Sequence, residues 1–355
     1  MKITISKSIL ENMLIHAGPF LEKKDTSQIT SHILLHVSNQ ELTLRATDYE
    51  IGFRVTTKNI NVEQEGDATA NGKKLLDIVR ILKDGEIKLE LKSDMLYISQ
   101  SHSKFKLPTF THTEFPEFPS YEGKPRISID SHLLIESLKK ITPAIDTNNP
   151  KVELNGALID IKQDKIFFAS TDTRRLAVVS IDNQSSDELS IILPKKAIIE
   201  IQKLFFDNIE LYYDQTYLII HSEQYTFFTK LLNGKFPEYS RIIPKEIANT
   251  LLLPKAVMIE SIKQITTIST DVKITFHNDT ITFESLSDDN IEAKTEIGFT
   301  TGFSAPFTIA INSRYLLDFL NTIHNSEFTI GLNEGNLPFV LSDDNFKTIV
   351  MPIVI

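Results

Sequence analysis

Residues that could do chemistry are scattered in this sequence rather than clustered. The nine histidines show neither a His-x-x-x-His spacing nor the His–carboxylate spacing of a metal site. There is no cysteine, which excludes thiol nucleophiles, disulfides and cysteine metal sites. Phosphate-binding glycine loops, dinucleotide fingerprints and serine-nucleophile motifs are also missing from the sequence. The sequence therefore predicts no catalytic residue, no metal and no cofactor.

The acidic residues that come nearest to a catalytic pair are Asp48 and Asp172. Each follows a threonine, and the two lie 124 positions apart. An acid pair would suit general acid–base chemistry, but repetition at strand ends is typical of a structural turn or cap. A further cluster, Ser287-Asp288-Asp289-Asn290, lacks the glycine and distal glutamate of a calcium loop, which favours a turn. We interpret both features as structural.

The 124-residue spacing belongs to a repeated strand–helix unit. Copies begin at Ile3, Ile127 and Leu251, each with alternating apolar residues followed by apolar residues at helical spacing. Each copy contains a residue suited to a helix start: Ser6, Asp130 and Pro254. Related units begin near Ala68, Ile192 and Ile309, and every unit runs into a hairpin. The prediction is an α+β fold of three domains, residues 1–122, 123–246 and 247–355, each made of two strand–helix–hairpin halves with antiparallel sheets.

Charge is distributed unevenly over this pattern. The chain has 355 residues and a net charge of −10, which by itself argues against a nucleic-acid partner. The predicted helix windows contain thirteen Lys and Arg against six Asp and Glu, so they carry +7 and the remainder carries −17. Those windows are 7–17, 73–83, 131–141, 195–205, 255–265 and 313–323. If all six face one way, they form a basic surface that holds phosphates without reading bases. The alternative is that they are ordinary solvated helix faces.

Hydrophobicity and the amino terminus suggest where the protein works. Apolar residues make up 41% of the chain, and no run reaches the ~18 residues that a membrane span needs. The sequence enters a strand at once, without an apolar signal region. We expect a soluble, cytoplasmic protein with no membrane partner.

Four motifs, in this order, resemble those of the bacterial sliding clamp family, the beta subunit of DNA polymerase III. They are Leu154-Asn155-Gly156-Ala157-Leu158, Ser170-Thr171-Asp172-Thr173-Arg174-Arg175-Leu176-Ala177, Gly234-Lys235-Phe236-Pro237-Glu238-Tyr239-Ser240-Arg241-Ile242-Ile243-Pro244 and Met351-Pro352-Ile353-Val354-Ile355. The resemblance covers the whole chain. It implies three tandem copies of a DNA-clamp domain, each with its sheets outside and two helices inside. It further implies a head-to-tail homodimer whose six domains close a ring around duplex DNA.

The resemblance also implies roles for individual residues that touch DNA. Matching positions for non-specific DNA contact are Lys24, Lys73, Arg80, Asn148, Lys195 and Lys196. Because a closed ring cannot leave DNA sideways, each of these contacts can be weak and the clamp can slide.

A partner-peptide pocket is implied between the second and third domains. Matching residues are Leu154, Thr171, Thr173, Arg174, Leu176, Pro237, Arg241, Ile242, Ile349, Met351, Pro352 and Ile353. The family commonly has Gly-His where this chain has Thr173-Arg174, so we expect a narrower, charged rim and a different peptide preference. The alternative for the carboxyl end is a last strand that completes a sheet.

The dimer seam is expected to join Phe105 of the first domain to the region of Ile265 and Ile268 in the third. The alternative for Phe105 is an ordinary core position.

The resulting function is that of a processivity factor, a non-catalytic subunit of the DNA polymerase III holoenzyme. Expected partners are duplex DNA, a second copy of the chain, the polymerase catalytic subunit, the clamp loader, and other polymerases and repair proteins with a clamp-binding peptide. The main alternative is a tandem-domain peptide-binding scaffold that forms no ring. A hydrolase with unrecognised carboxylates is a more remote alternative.

Overall fold

The computed structural model describes residues 1–25, 27–183, 188–206, 208–286 and 292–354. The described chain forms two compact units, Met1–Ser131 with Glu200–Leu231, and His132–Ile199 with Leu232–Ile355. The predicted turn at Ser287-Asp288-Asp289-Asn290 lies outside the described residues. Within them, no helix is long and apolar enough to cross a membrane.

Six α-helices are present in the described chain, close to the predicted windows. They are α1 Lys7–Ala17, α2 Gly72–Ile81, α3 Ser131–Ile141, α4 Lys195–Leu204, α5 Lys255–Thr266 and α6 Ser313–Thr322. Their starts follow local chemistry. The Ser6 hydroxyl accepts the Ile9 N–H at 3.4 Å, and the Asn71 side chain accepts the Lys74 N–H at 3.0 Å. The predicted starts after Ser6, Asp130 and Pro254 are confirmed.

The strands of the first repeat are β1 Lys2–Ser6, β2 His32–Ser38, β3 Glu41–Thr47, β4 Ile51–Thr57, β5 Ile60–Gln64, β6 Gly66–Asn71, β7 Glu86–Lys92, β8 Met95–Gln100 and β9 Ser103–Pro108. Those of the second are β10 Arg126–Ile127, β11 Gly156–Ile161, β12 Lys165–Thr171, β13 Arg175–Asp182, β14 Leu189–Pro194, β15 Glu210–Tyr213, β16 Tyr217–His221 and β17 Tyr225–Lys230. Those of the third are β18 Asn249–Pro254, β19 Asp271–Phe276, β20 Thr280–Ser285, β21 Lys294–Gly298, β22 Phe307–Asn312, β23 Glu327–Leu332, β24 Phe339–Asp343 and β25 Phe346–Val350.

These strands form four antiparallel sheets, two in each unit. The first unit contains β5-β1-β7-β8-β9 and the eight-stranded β10-β15-β16-β17-β4-β3-β2-β6. The second unit contains the eight-stranded β14-β11-β12-β13-β25-β24-β23-β18 and the four-stranded β21-β20-β19-β22. The antiparallel α+β prediction is confirmed. Its domain boundaries at 122 and 246 stay a prediction.

The eight-stranded sheets contain pairings that the sequence did not predict. In the first unit β4 pairs with β17, and we call this pairing the first joint. In the second unit β13 pairs with β25, and we call this pairing the second joint. Each joint pairs the third strand after the helix in a repeat's first half with the third strand after the helix in the next repeat's second half. Consecutive repeats are therefore joined by continuous backbone hydrogen bonding.

Candidate functional site

The Thr-Asp motif of the second repeat builds a tight turn between β12 and β13. The Thr171 hydroxyl donates to the Arg175 carbonyl at 2.6 Å and accepts the Thr173 N–H at 3.0 Å. Asp172 Oδ1 accepts the N–H groups of Arg174 at 3.1 Å and Arg175 at 2.9 Å. The motif is thus a side-chain-stabilised turn, and its interpretation as structural is confirmed.

This turn holds Thr173 in an unusual conformation. The Thr173 φ angle is 71°, in the left-handed region that favours glycine and that a β-branched residue rarely adopts. The Thr173 and Arg174 side chains are both exposed beside the turn. A rim made of these two side chains is bulkier and more cationic than a Gly-His rim.

Three of the predicted pocket residues lie in one apolar cluster below this turn. Leu154, Leu176 and Ile349 are each no more than 2% exposed and belong to the same group of buried side chains. Leu176 and Ile349 face each other across the second joint, since they are register partners in β13 and β25. The other buried members of the cluster are Leu158, Ala169, Val178, Ile192, Phe236, Tyr239 and Val340.

The carboxyl-terminal segment begins where β25 ends. The Met351 N–H donates to the Arg174 carbonyl at 2.9 Å, and the Ile353 N–H donates to the Ala310 carbonyl at 2.7 Å. Met351 nevertheless keeps 41% of its surface exposed. Because β25 is Phe346–Val350, the segment from Met351 onward lies past the last strand, contrary to the alternative that it completes the sheet.

The predicted residues Pro237, Arg241 and Ile242 lie on the connection that follows β17. Phe236 and Tyr239 of this connection insert into the apolar cluster, whereas Arg241 and Ile242 are exposed. Arg241 pairs with Glu238 at 2.7 Å. Burial, assisted by nearby Asp160, raises the pKa of the Tyr239 hydroxyl, which stays neutral. Phe236 and Tyr239 belong to one of the four sequence motifs, but the sequence did not predict that they contribute to the pocket.

Five of the six predicted DNA-contact residues are exposed. Lys24 and Asn148 lie on loops, and Lys73, Arg80 and Lys196 lie on helices. The sixth, Lys195, is half-buried, and its ammonium donates to the Ile145 carbonyl at 2.8 Å. Burial lowers the pKa of Lys195, with smaller contributions from Arg314 and Arg175. The structure therefore gives Lys195 an internal partner that sequence reasoning did not foresee.

Lys195 belongs to a set of three equivalent residues. Lys7 and Lys255 are also the first residues of their helices, and each donates to a carbonyl just after a neighbouring helix. Lys7 reaches Leu82 O and Lys255 reaches Ile323 O, both at 2.7 Å. A cation at a helix carboxyl end satisfies open carbonyls and complements the helix dipole.

Other helix cations are paired with helix carboxylates. Arg80 lies 3.9 Å from Glu11, Lys139 lies 2.7 Å from Glu136, and Lys203 lies 2.9 Å from Glu200. By contrast, Lys73, Lys74 and Lys263 are exposed and form no ion pair with any residue that the structure describes. Because several helix cations are already paired with carboxylates, the net helix charge of +7 overstates the positive charge that is available to bind phosphates.

The three residues predicted for a dimer seam have different surroundings. Phe105 is half-buried on β9, which is an edge strand of its sheet. Ile268 follows α5 and is 41% exposed, but Ile265 is only 1% exposed. A side chain already buried in its own chain adds no area on association, so the direct contact assigned to Ile265 is corrected to a core position.

Comparisons with known proteins identify the fold as a DNA clamp built from three domains. Family models described as DNA polymerase III beta subunit, N-terminal, central and C-terminal domain match residues 1–119, 128–238 and 240–354. The Beta sliding clamp of Helicobacter pylori strain 26695 is 37% identical over 374 aligned positions, covering 100% of both chains. That of Buchnera aphidicola from Rhopalosiphum padi is 28% identical and covers 97% of this chain and 96% of the relative.

Solved structures of bacterial clamps align with this chain over its full length. The Helicobacter pylori beta clamp bound to a DNA ligase peptide aligns with a TM-score of 0.94 at 38% identity, covering 100% of both chains. The DNA polymerase III subunit beta of Pseudomonas aeruginosa aligns with a TM-score of 0.93 at 24% identity and supports the fold alone. Three tandem clamp domains thus define the class of protein. The chain belongs to the DNA polymerase III beta subunit family, the bacterial beta sliding clamps, and is a processivity clamp of DNA replication.

Proposed function

We propose that the chain acts as a head-to-tail homodimeric ring that encircles duplex DNA and tethers replication and repair proteins through its peptide pocket. It contributes no catalysis of its own and uses no cofactor. In this role it works in the cytoplasm beside the chromosome. The domains that form the ring are residues 1–122, 123–246 and 247–355.

The main support for the ring is a comparison of which strands are paired at the joints and which are left at sheet edges. At both joints, the third strand after the helix in a first half pairs with the third strand after the helix in a second half, β4 with β17 and β13 with β25. The two strands of this type left over are β9 and β21, and both are sheet edges among the described residues. An open edge presents a row of unpaired N–H and C=O groups. Pairing β9 of one copy with β21 of the next would repeat the joint and close the ring from two copies.

The seam residues fit this proposal unequally. Phe105 lies on β9 itself, and Ile268 supplies exposed apolar surface in the third repeat. We retain both at the seam, whereas Ile265 lies on the buried face of α5 and makes no direct seam contact.

The DNA-facing surface is assigned to four exposed cations and Asn148. Lys73, Arg80 and Lys196 on helices, with Lys24 and Asn148 on loops, would touch phosphates weakly and without sequence preference. Lys195 contributes charge to this surface while it caps Ile145. A ring holds its DNA by topology, so no tight contact is required for retention.

The partner pocket is assigned to the apolar cluster at the second joint. Leu176, Ile349 and Leu154 form its floor, the Thr171–Arg174 turn forms one rim, and Met351 with its neighbours Pro352 and Ile353 forms another. A short peptide with apolar anchors suits such a groove. The Helicobacter pylori relative bound to a DNA ligase peptide supports this assignment. Expected partners are the polymerase III catalytic subunit, the clamp loader, and other polymerases and repair proteins.

The test is retention on nicked circular DNA during gel filtration, after loading with a clamp loader and ATP. The protein should stay with the circle and be lost when the circle is linearised. Equal retention on both forms would mean ordinary affinity and would contradict the ring. If nothing is retained although the loader loads a known clamp, the scaffold alternative is preferred.

A matched pair of variants tests the seam. Phe105→Glu on the edge strand should give a monomer that is not retained on the circle. Tyr97→Glu is the control, because Tyr97 is exposed on the neighbouring inner strand β8 of the same sheet. If Phe105→Glu remains a loadable dimer, β9 is not the seam.

A further inference from the structure

Arg175 is the most heavily bonded side chain at the second joint, yet sequence reasoning assigned it no role. It is 5% exposed, and its Nε donates to Asp172 at 3.0 Å. Its Nη1 donates to Asp318 of α6 at 2.7 Å, and its Nη2 donates to the Pro143 carbonyl at 2.5 Å. The guanidinium also lies 4.6 Å from the ring centroid of Tyr315, also on α6. One side chain thus connects the rim turn, α6 and the segment after α3.

The first joint shows that the turn does not need this arginine. There the Thr47 hydroxyl donates to the Ile51 carbonyl at 2.8 Å and accepts the Tyr49 N–H at 3.0 Å. Asp48 accepts the N–H groups of Glu50 and Ile51, each at 3.0 Å. The φ angle of Tyr49 is 74°, against 71° for Thr173. The same turn is therefore built with isoleucine in the place of Arg175.

What the arginine adds is a connection to α6. Asp172 is shared, because its Oδ1 holds the turn and its Oδ2 holds Arg175. Asp318 is shared too, since its Oδ2 lies 2.7 Å from Arg175 and 3.7 Å from the exposed Arg314. The planar guanidinium fixes the directions of its hydrogen bonds, so a shift of the turn is transmitted to α6 more rigidly than through a lysine.

We propose that Arg175 is a positioning residue that links the rim of the peptide pocket to α6, so that a bound peptide changes the stability of α6. This inference rests on the proposed peptide pocket. Filling the pocket fixes the rim turn, the turn fixes Arg175 through Asp172, and Arg175 fixes Asp318. By linkage, whatever orders α6 must strengthen peptide binding by the same factor. Because α6 also carries exposed Arg314, a phosphate contact there would be felt at the pocket.

The experiment is hydrogen exchange of the full-length protein with and without a saturating DNA ligase-derived peptide, compared between wild type and Arg175→Ile. Isoleucine is chosen because the first joint carries it in an identical turn. Saturation is checked separately for each protein by fluorescence anisotropy. In wild type, the peptide should slow exchange in the turn and, by about threefold or more, in α6. In Arg175→Ile, the turn should still be protected while the α6 effect disappears. Helix α2 of the first unit serves as the internal control and should not change in either protein.

Each outcome decides the proposal. Equal α6 protection in wild type and Arg175→Ile overturns it, as does a wild-type protein whose turn is protected while α6 is not. If Arg175→Ile does not fold or does not bind, Asp318→Ala removes both carboxylate oxygens, breaks the same link from α6 and is judged by the same criterion. A wild-type protein that folds and forms rings but binds no peptide refutes the proposed pocket instead, which is a separate result.

Discussion

The two joints have equivalent backbone pairing, but different side chains occupy the space beside the paired strands. Register makes Gly52 of the first joint the counterpart of Leu176, and Phe228 the counterpart of Ile349. At the first joint, the Phe228 ring lies over the glycine and is covered in turn by Phe118, 4.9 Å away between ring centroids. At the second joint, two aliphatic side chains face each other and form part of the proposed pocket floor. The difference teaches that the first joint fills with an aromatic ring the space in which the second joint has the aliphatic pair of the proposed pocket.

The polar surroundings differ in the same way. The register pair Arg45 and Arg54 at the first joint corresponds to Ala169 and Val178 at the second. Arg45 stacks on Phe118, with its guanidinium 5.7 Å from the ring centroid. The apolar surface proposed to accept peptide anchors therefore has no counterpart in the register-equivalent residues of the first joint.

The largest effect is expected from importing the second-joint leucine into the first joint. A Cβ at Gly52 would lie 2.0 Å from Cε1 of Phe228, so Gly52→Leu should destabilise the protein by about 3 kcal/mol. Adding Phe228→Ile recreates the Leu–Ile pair and should recover much of that loss, a strong departure from additivity. Thermal and urea unfolding of the single and double variants measure the coupling. Additive losses would show that the joints are not equivalent.

Acidification should have the next largest effect and should distinguish the two units. Burial, with help from Lys74, lowers the pKa of His32 from 6.5 to about 4, whereas the register counterpart in the second unit is Gly156. Since the unfolded chain binds this proton first, stability is complete above pH 6.5 and is lost as the pH falls towards 4. The loss should be about 2 kcal/mol.

The measurement is urea unfolding at pH 7 and pH 4.5 for His32→Leu and wild type. His32→Leu should lose less stability on acidification than wild type, while His102→Leu, at an exposed position of the same unit, should behave like wild type. An unchanged pH dependence in His32→Leu would exclude His32 as the group responsible.

How much of the fold the sequence could predict depends on how far apart in the chain the interacting residues lie. Helix starts depend on Ser6, Asn71 and Asn312, whose side chains accept hydrogen bonds within three residues, so the helices were predictable. Alternation predicts a strand but not its partner, which is why the pairing of β17 with β4 was missed. Arg54 and Thr226 of that joint are 172 positions apart in the chain.

The site was predictable to a similar extent. Residues inside recognisable motifs, such as Leu176 and Met351, could be assigned from the family resemblance. Arg175 stood in the same motif, but its meaning depends on Asp318, 143 positions away. The sequence could not show which of Ile265 and Ile268 is buried. The two are only three positions apart, and the exact end of α5 decides their exposure.

A third prediction exchanges the residues that leave the joints. Lys230 follows the first joint and Met351 the second, and each donates its N–H to the carbonyl at the same turn position, Glu50 or Arg174. Met351→Lys imports the first-joint residue, removes an apolar wall and places a cation beside Arg174. Affinity for a DNA ligase-derived peptide should fall about tenfold, or ~1.4 kcal/mol, by fluorescence anisotropy. Val354→Lys, at an 83% exposed position in the same tail, should change affinity little. Equal losses would mean that charge on the tail, rather than the Met351 wall, matters.

The smallest effect separates two helix lysines, one in each unit. Lys73 is exposed without an ion pair to any described residue, whereas Lys195 caps Ile145. Lys73→Ala should weaken duplex DNA binding by a few-fold and reduce the slope of log affinity against log salt by about 1. Lys195→Ala should instead cost stability, about 1 kcal/mol, because it leaves a helix-end carbonyl without its cation. If Lys195→Ala changes the salt slope as much as Lys73→Ala while stability stays constant, its ammonium leaves Ile145 for a phosphate when DNA is bound. The hydrogen bond to Ile145 would then be a resting position, and the second unit would present the same DNA-facing charge as the first.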